Sequence, residues 1–336
     1  MAYGQTLPSA ARRQANDLRR RSNRLAVRLA ALWRRDASDD FGESFASCMP
    51  EMFRLLDSAQ LQTAREAMTA TPLAMAALDG VDRLPDYTVD PCQWVGVNGN
   101  GMDTVDVMWG AVTKGKQVVS CGGSTDIALH VIEVELVQRS RTLLADTQRS
   151  AAIVAGRSRY VYCGYVRGLT PPSCGRCVIL AGQPCGSEPF ERHPNCDCIA
   201  IPTSKTPNTA VTSANEYLDS LSDDQLAKVL GSKANARAWQ DGADLNQLVN
   251  AYRRSGGVSA AQLYGRNIKY TTEGMTKRGL ASSRMISAGY AKEYVKKGGR
   301  YTKVDRPRLM PETIYDICAR TGKDPRQMLY DYGWIL

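Results

Sequence analysis

The residues best equipped for chemistry form two short runs, Cys174-Gly175-Arg176-Cys177 and His193-Pro194-Asn195-Cys196-Asp197-Cys198. A C-x2-C pair presents two thiolates from one turn, and a group carrying His and Cys about 15 residues later completes a tetrahedral site. Soft thiolates with one imidazole select zinc or iron over calcium or magnesium. Five residues compete for four places: Cys174 and Cys177 lead, followed by His193, Cys198 and Cys196. Cys185, alone in the intervening loop, is the weaker possibility. Closure by four protein ligands would make the metal, zinc on this reading, structural rather than catalytic. Three other readings stay open: a thioredoxin-like redox pair at Cys174 and Cys177, here without its usual βαβ context, disulfides formed outside a reducing compartment, and reduced thiols with no metal. Gly175 and Gly182 permit tight turns, Pro194 stiffens the second half, and Arg176 and Asp197 lie inside the motif as an oppositely charged pair whose interaction spacing alone does not show.

Other catalytic constellations are sparse. The chain has two histidines. His193 belongs to the cluster, which leaves His130, with Ser124 and Asp126 as sequence neighbours. A serine nucleophile needs a base within hydrogen-bond reach and a third group to orient it. A histidine on a helix among apolar residues is more often structural. Cys121 with His130 would be the cysteine version of the same idea. There is no G-x-S-x-G elbow, no H-E-x-x-H helix and no glycine-rich phosphate loop with its lysine.

The elements that must position these residues read as mostly helical. Leu18, Leu25, Leu29 and Leu32 share one face of a helix over 10–35, while Arg19, Arg20, Arg21, Arg24, Arg28, Arg34 and Arg35 fill the rest. Helical patterning continues over 40–80 and breaks at Leu84-Pro85-Asp86. Repeated glycines among β-branched runs over 90–123 predict strands, turns and loops. A long helix follows over 125–160, then a turn-rich module over 160–202. The polar stretch 203–212 reads as a linker or exposed loop. Short helices return over 214–254, with Ser222 and Gln225 at capping-box spacing. A final helix starts at Pro311 and ends near Thr321-Gly322. The expected fold is α+β, mostly helical with a small β-rich insertion and a zinc-stapled Cys/His module. The expected domains are an N-terminal helical arm and bundle (1–89), a core with the long helix and Cys/His module (90–202), and C-terminal helices with a basic extension (203–336).

The net charge of +9 is unevenly spread. Residues 1–35 carry +8 and residues 264–308 carry +9, against −7 for the middle, 36–263. Basic ends on an acidic body suggest contact with a polyanion such as DNA, or with an acidic protein surface. No apolar run is long enough for a membrane span, and no secretory signal is expected, so the chain should fold in a reducing cytoplasm. The scattered Cys48, Cys92, Cys121, Cys163 and Cys318 read as small buried apolar residues.

With these motifs in view, the sequence resembles the MuF-like minor head proteins of actinobacterial tailed phages. The resemblance rests on the run from Tyr165 to Gly182, with its Cys-x2-Cys and Leu180-Ala181-Gly182, and on Phe190 to Cys198, with His-Pro-x-Cys-x-Cys. Further similar motifs are Trp239 to Ala251, Thr271 to Gly279, Arg308 to Tyr315 and the ending Tyr332 to Leu336. Recognisable motifs cover roughly residues 90 to 336; the N-terminal helices agree in general character only. The resemblance implies a virion protein in the capsid interior near the portal, assembled in the host cytoplasm. It implies contacts with the portal, scaffold or major capsid protein and a role in head assembly or genome delivery. Relatives are also described as capsid maturation proteases, which here would rest on Ser124 and His130. A DNA-binding protein inside the head would use the same basic ends.

Overall fold

The structure is a computed structural model and describes residues 7–80, 84–186, 188, 190–193, 196, 198–204, 213–252, 257–263, 265–296 and 302–336. The protein is a mostly helical α+β chain with small antiparallel sheets and a Cys/His cluster. Residues 7–217, apart from the turn 174–179, form one compact unit; residues 218–336 and that turn form another. The sequence segments 1–89 and 90–202 therefore share one unit, except for that turn.

The first unit is built on four helices, α1 (Ser9–Asp36), α2 (Phe41–Asp79), α3 (Thr104–Ser120) and α4 (Thr125–Arg157). Leu18, Leu25, Leu29 and Leu32 of α1 are buried, as their spacing predicts, and Trp33 joins them. They pack with Phe41, Met52 and Leu56 of α2 and Ile132, Leu136 and Leu144 of α4. An apolar stripe of this width cannot stay in water, so α1 is a core helix rather than a projecting arm. Several of its arginines are engaged inside the unit. Arg21 is buried, bonded to Thr63 Oγ1 at 3.1 Å and ion-paired with Glu66. Arg34 reaches Glu133 on α4. The Asp40 side chain caps α2 by accepting from the N–H groups of Gly42 and Glu43, and Gly80 ends it in the left-handed conformation.

Residues 104–120 depart from the β-rich expectation, since they form helix α3. Thr104, Met108, Ala111, Val112 and Gly115 line its buried face at helical spacing. The glycines that suggested turns are instead the price of close packing. A Cβ on Gly115 would sit 2.4 Å from Ile132 Cδ1 on α4, and one on Gly110 would sit 2.7 Å from Arg139 Nη1. Gly115→Val should therefore destabilise this unit by about 1–3 kcal/mol through overpacking. Urea unfolding followed by tryptophan fluorescence measures that loss; an unchanged midpoint would mean that α3 and α4 separate freely.

The β structure lies further on. Strand β1 (Gly164–Gly168) is central in a three-stranded sheet, α5 (Gly175–Val178) is one turn long, and β2 (Pro184–Cys185) and β3 (Ile199–Thr203) flank β1 antiparallel. Val166 pairs with Ile201 and with Pro184. β1 and β3 are buried along their whole length, with α4 packed on β3. This sheet positions the cluster, because β3 begins at the residue after Cys198.

The second unit holds short helices α6 (Ala214–Asp219, its first turn still within the first unit), α7 (Asp223–Leu230), α8 (Lys233–Gln240) and α9 (Leu245–Asn250). The Ser222–Gln225 capping box forms as expected. Strands β4 (Val258–Leu263) and β5 (Arg266–Thr271) make a hairpin, followed by α10 (Leu280–Ser287), β6 (Tyr294–Val295), β7 (Lys303–Val304) and β8 (Arg308–Leu309). β8 adds to β5, and β6 pairs with β7. Helix α11 (Pro311–Thr321) has the expected proline start and Gly322 stop, and a further helix, α12 (Pro325–Asp331), follows it. Arg308 is fully buried here, over the Trp334 ring.

Candidate metal centre

Each half of the Cys/His motif closes a tight turn. Cys177 N–H donates to the Cys174 carbonyl at 3.0 Å, and Cys196 N–H donates to the His193 carbonyl at 3.1 Å. Gly182 takes a φ of 68°, as a turn residue should. Gly175 does not need that freedom: a Cβ there would lie 2.9 Å from the Val229 carbonyl oxygen and from Val249 Cγ2, so close packing explains the glycine.

Two groups of donor atoms converge. The ligating atoms of Cys174, Cys177 and His193 lie within 4.8 Å of one another, and so do those of Cys177, Cys196 and Cys198. Two ligands held about 2.3 Å from one tetrahedral ion are about 3.8 Å apart, so both groups are near the required spacing. Cys177 belongs to both. Cys177, Cys196 and Cys198 are buried, His193 is half-buried and Cys174 is exposed. The donor set of thiolates plus imidazole fits a borderline-soft metal ion. Cys185 takes another place, on β2 opposite Tyr165, and among the described residues it joins neither group. Burial pushes its thiol pKa up.

Behind the second half lies a buried layer that the sequence reading missed. Arg149 of α4, 3% exposed, donates from Nε to the Cys198 carbonyl at 2.9 Å and from Nη2 to the Cys196 carbonyl. Its Nη1 bonds Asp146 at 2.9 Å, and Asp146 also meets Arg192 Nε at 2.6 Å. Burial pushes the Asp146 carboxyl up, while the two arginines pull it back. Arg167, 4% exposed in the middle of β1, donates to Cys196 Sγ at 3.7 Å and to the Glu191 carbonyl. Both guanidiniums lie over the Phe190 ring, at 4.0 Å for Arg167 and 4.8 Å for Arg149. The signal available in the sequence was an arginine inside the otherwise uncharged Gly164–Gly168 strand.

Arg176 donates to the Tyr252 carbonyl at 3.2 Å. Asp197, the opposite charge inside the motif, lies outside the described residues, as do Pro194 and 205–212 of the expected linker. Of the scattered cysteines, Cys48 and Cys318 are buried as expected, whereas Cys92, Cys121 and Cys163 are exposed.

The alternative serine site does not assemble. Ser124 is the N-cap of α4, its Oγ accepting from Ile127 N–H at 3.3 Å. His130 is an exposed residue of the same helix, so six residues of rise separate the two by about 9 Å. Cys121 caps the end of α3 and is exposed.

Fold and site together define a mostly helical α+β protein with a Cys/His cluster able to hold a metal ion. Compared with protein-family models, with curated proteins and with solved structures, the chain finds no match. No helix among the described residues is long and apolar enough to cross a membrane.

Proposed function

We propose that this chain is a minor head protein of a tailed bacteriophage, of the MuF-like kind, stapled by one structural zinc ion and acting inside the capsid near the portal. The convergence of the two cysteine-bearing turns, in the order of the family's motif, is the observation that carries the reading. Cys177 would ligate together with members of Cys174, His193, Cys196 and Cys198. The ion supplies folding energy to a loop-rich segment and no reaction step. The helical body offers exposed cations for portal, scaffold, major capsid protein or packaged DNA. Among the described residues, Arg13, Arg24 and Arg28 are exposed on α1. The maturation-protease reading is weaker, because Ser124 is a helix cap and His130 is out of its reach.

Quantitative mass spectrometry of purified mature virions, with chain termini mapped, tests this. The expected result is intact protein at a few copies per particle beside an uncleaved major capsid protein. Its absence from particles, or self-cleavage beside a trimmed capsid protein, would replace this reading with the protease.

A further inference from the structure

We propose that Arg167 is the positioning residue of the metal centre, its buried guanidinium fixing Cys196 as one of the ligating thiolates. This inference rests on the metal reading above and assigns a residue within it. A guanidinium cannot be neutralised by losing a proton at ordinary pH, so burying one demands an anion or a full set of acceptors. Arg149 has both, with Asp146 as its carboxylate and two carbonyls as acceptors. Arg167 differs. Its contacts among the described residues are the Glu191 carbonyl, the Phe190 ring and Cys196 Sγ, and no ion pair to a carboxylate is among them. The sulfur is the group in that set able to carry negative charge.

The charge balance runs the same way from the metal's side. A divalent ion with three thiolates carries one net negative charge, which is costly in a buried site unless a cation lies beside it. Arg149 shares Asp146 with Arg192, whereas Arg167, with no carboxylate among its described contacts, lies directly against Cys196 Sγ and places its positive charge at that ligand. Its rigid setting also fits the role. The side chain leaves a central strand that is buried along its length, and its second donor arm ties down Glu191, in the chain that leads into His193 and Cys196. Such outer partners orient ligands and tune affinity by about 10–100-fold in other metal sites.

The test uses the full chain under reducing conditions. Zinc affinity is read by competition with a chromophoric chelator, and thiolate count by the sulfur-to-metal charge-transfer absorption of the cadmium-substituted protein. Arg167→Met is expected to weaken zinc binding by about 10–100-fold and to remove one thiolate's share of the absorption. Arg167→Lys, which keeps the cation, should recover part of both. In a Cys196→Ser background the share is already lost, and Arg167→Met should then cost less than about twofold more. If Arg167→Met proves unfolded, the lysine variant and Cys196→Ser decide: zinc affinity and absorption unchanged in Cys196→Ser would overturn the proposal. Wild-type affinity and absorption in Arg167→Met would also overturn it while leaving the metal reading intact. A wild-type protein that takes up no zinc would remove the metal reading itself.

Discussion

On the proposed zinc reading, a strong chelator under reducing conditions is expected to release one equivalent of zinc from the purified protein and to unfold the Cys/His module. The expectation follows from how little else holds this segment. β2 is two residues long, and 190–193 with Cys196 and Cys198 carry no helix or strand. The apolar cluster behind the sheet is small, comprising Leu7, Ala11, Ala15, Ala74, Val166, Ile199 and Ile201. Regular structure is therefore sparse in the loop: carbonyl bonds from Arg149 and Arg167 hold part of it, and on the proposed reading metal–ligand bonds hold the rest. Apparent zinc binding energies of about 10–16 kcal/mol in peptide sites show that the ion can supply that order. On the same reading, Cys198→Ser removes a buried candidate ligand and should cost roughly 3–5 kcal/mol, lowering Tm by about 10 °C or more. Metal content by elemental analysis and hydrogen exchange over β1–β3 report the two halves of the effect. Unchanged exchange after complete metal removal would mean that the module stands without a staple.

Replacing Arg308 by Met is expected to be nearly as damaging, and for the second unit alone. Arg308 donates to the carbonyls of Tyr332 at 2.8 Å and Gly333 at 2.7 Å, and to Gln247 Oε1 at 3.1 Å. Its guanidinium lies 3.7 Å from the Trp334 ring centroid. Trp334 is itself buried and donates from Nε1 to the Leu309 carbonyl at 2.9 Å. One side chain thus locks the chain's final residues against β8 and α9. Gly333 is required there, since its φ is 70° and a Cβ would lie 2.7 Å from Ala281 Cα. Burial pulls the Arg308 pKa down to about 9, which still leaves it charged at neutral pH. Methionine fills the volume but strands several buried acceptors at about 1–3 kcal/mol each, giving a loss of roughly 4 kcal/mol. Arg308→Lys should rescue less than half of it, because an ammonium cannot span the same fork of acceptors. Denaturant unfolding, with proteolysis at the C-terminus as a second probe, measures both variants. A loss below about 1 kcal/mol for Met would show that the tail packs without this lock.

These two sites differ in how far the sequence announced them. The cysteines and histidine were legible as a metal-type set because ligand spacing within a turn is a local property. The five candidates do converge, although as two triplets meeting at Cys177 rather than one set of four. Arg308 was legible only as part of a similar C-terminal motif, with no hint that it was buried. Arg149 and Arg167 gave less signal still, since their partners lie on other elements. Ser124 and His130 show the reverse error: neighbours in sequence, they are held apart by the helix they share.

By itself the sequence determined the elements whose apolar period is written within one stretch of chain. Helices α1, α2, α4 and α11 appear near their expected positions, because a stripe of leucines or a cap at a fixed offset needs no distant partner to be read. Only the tertiary structure decided that residues 104–120 are helical, since the glycines there are explained by Ile132 and Arg139 across the α3–α4 contact. It likewise decided which arginines are exposed and which are buried cations. Burial of a charge depends on acceptors brought in from remote parts of the chain, and no local pattern records where those acceptors will be.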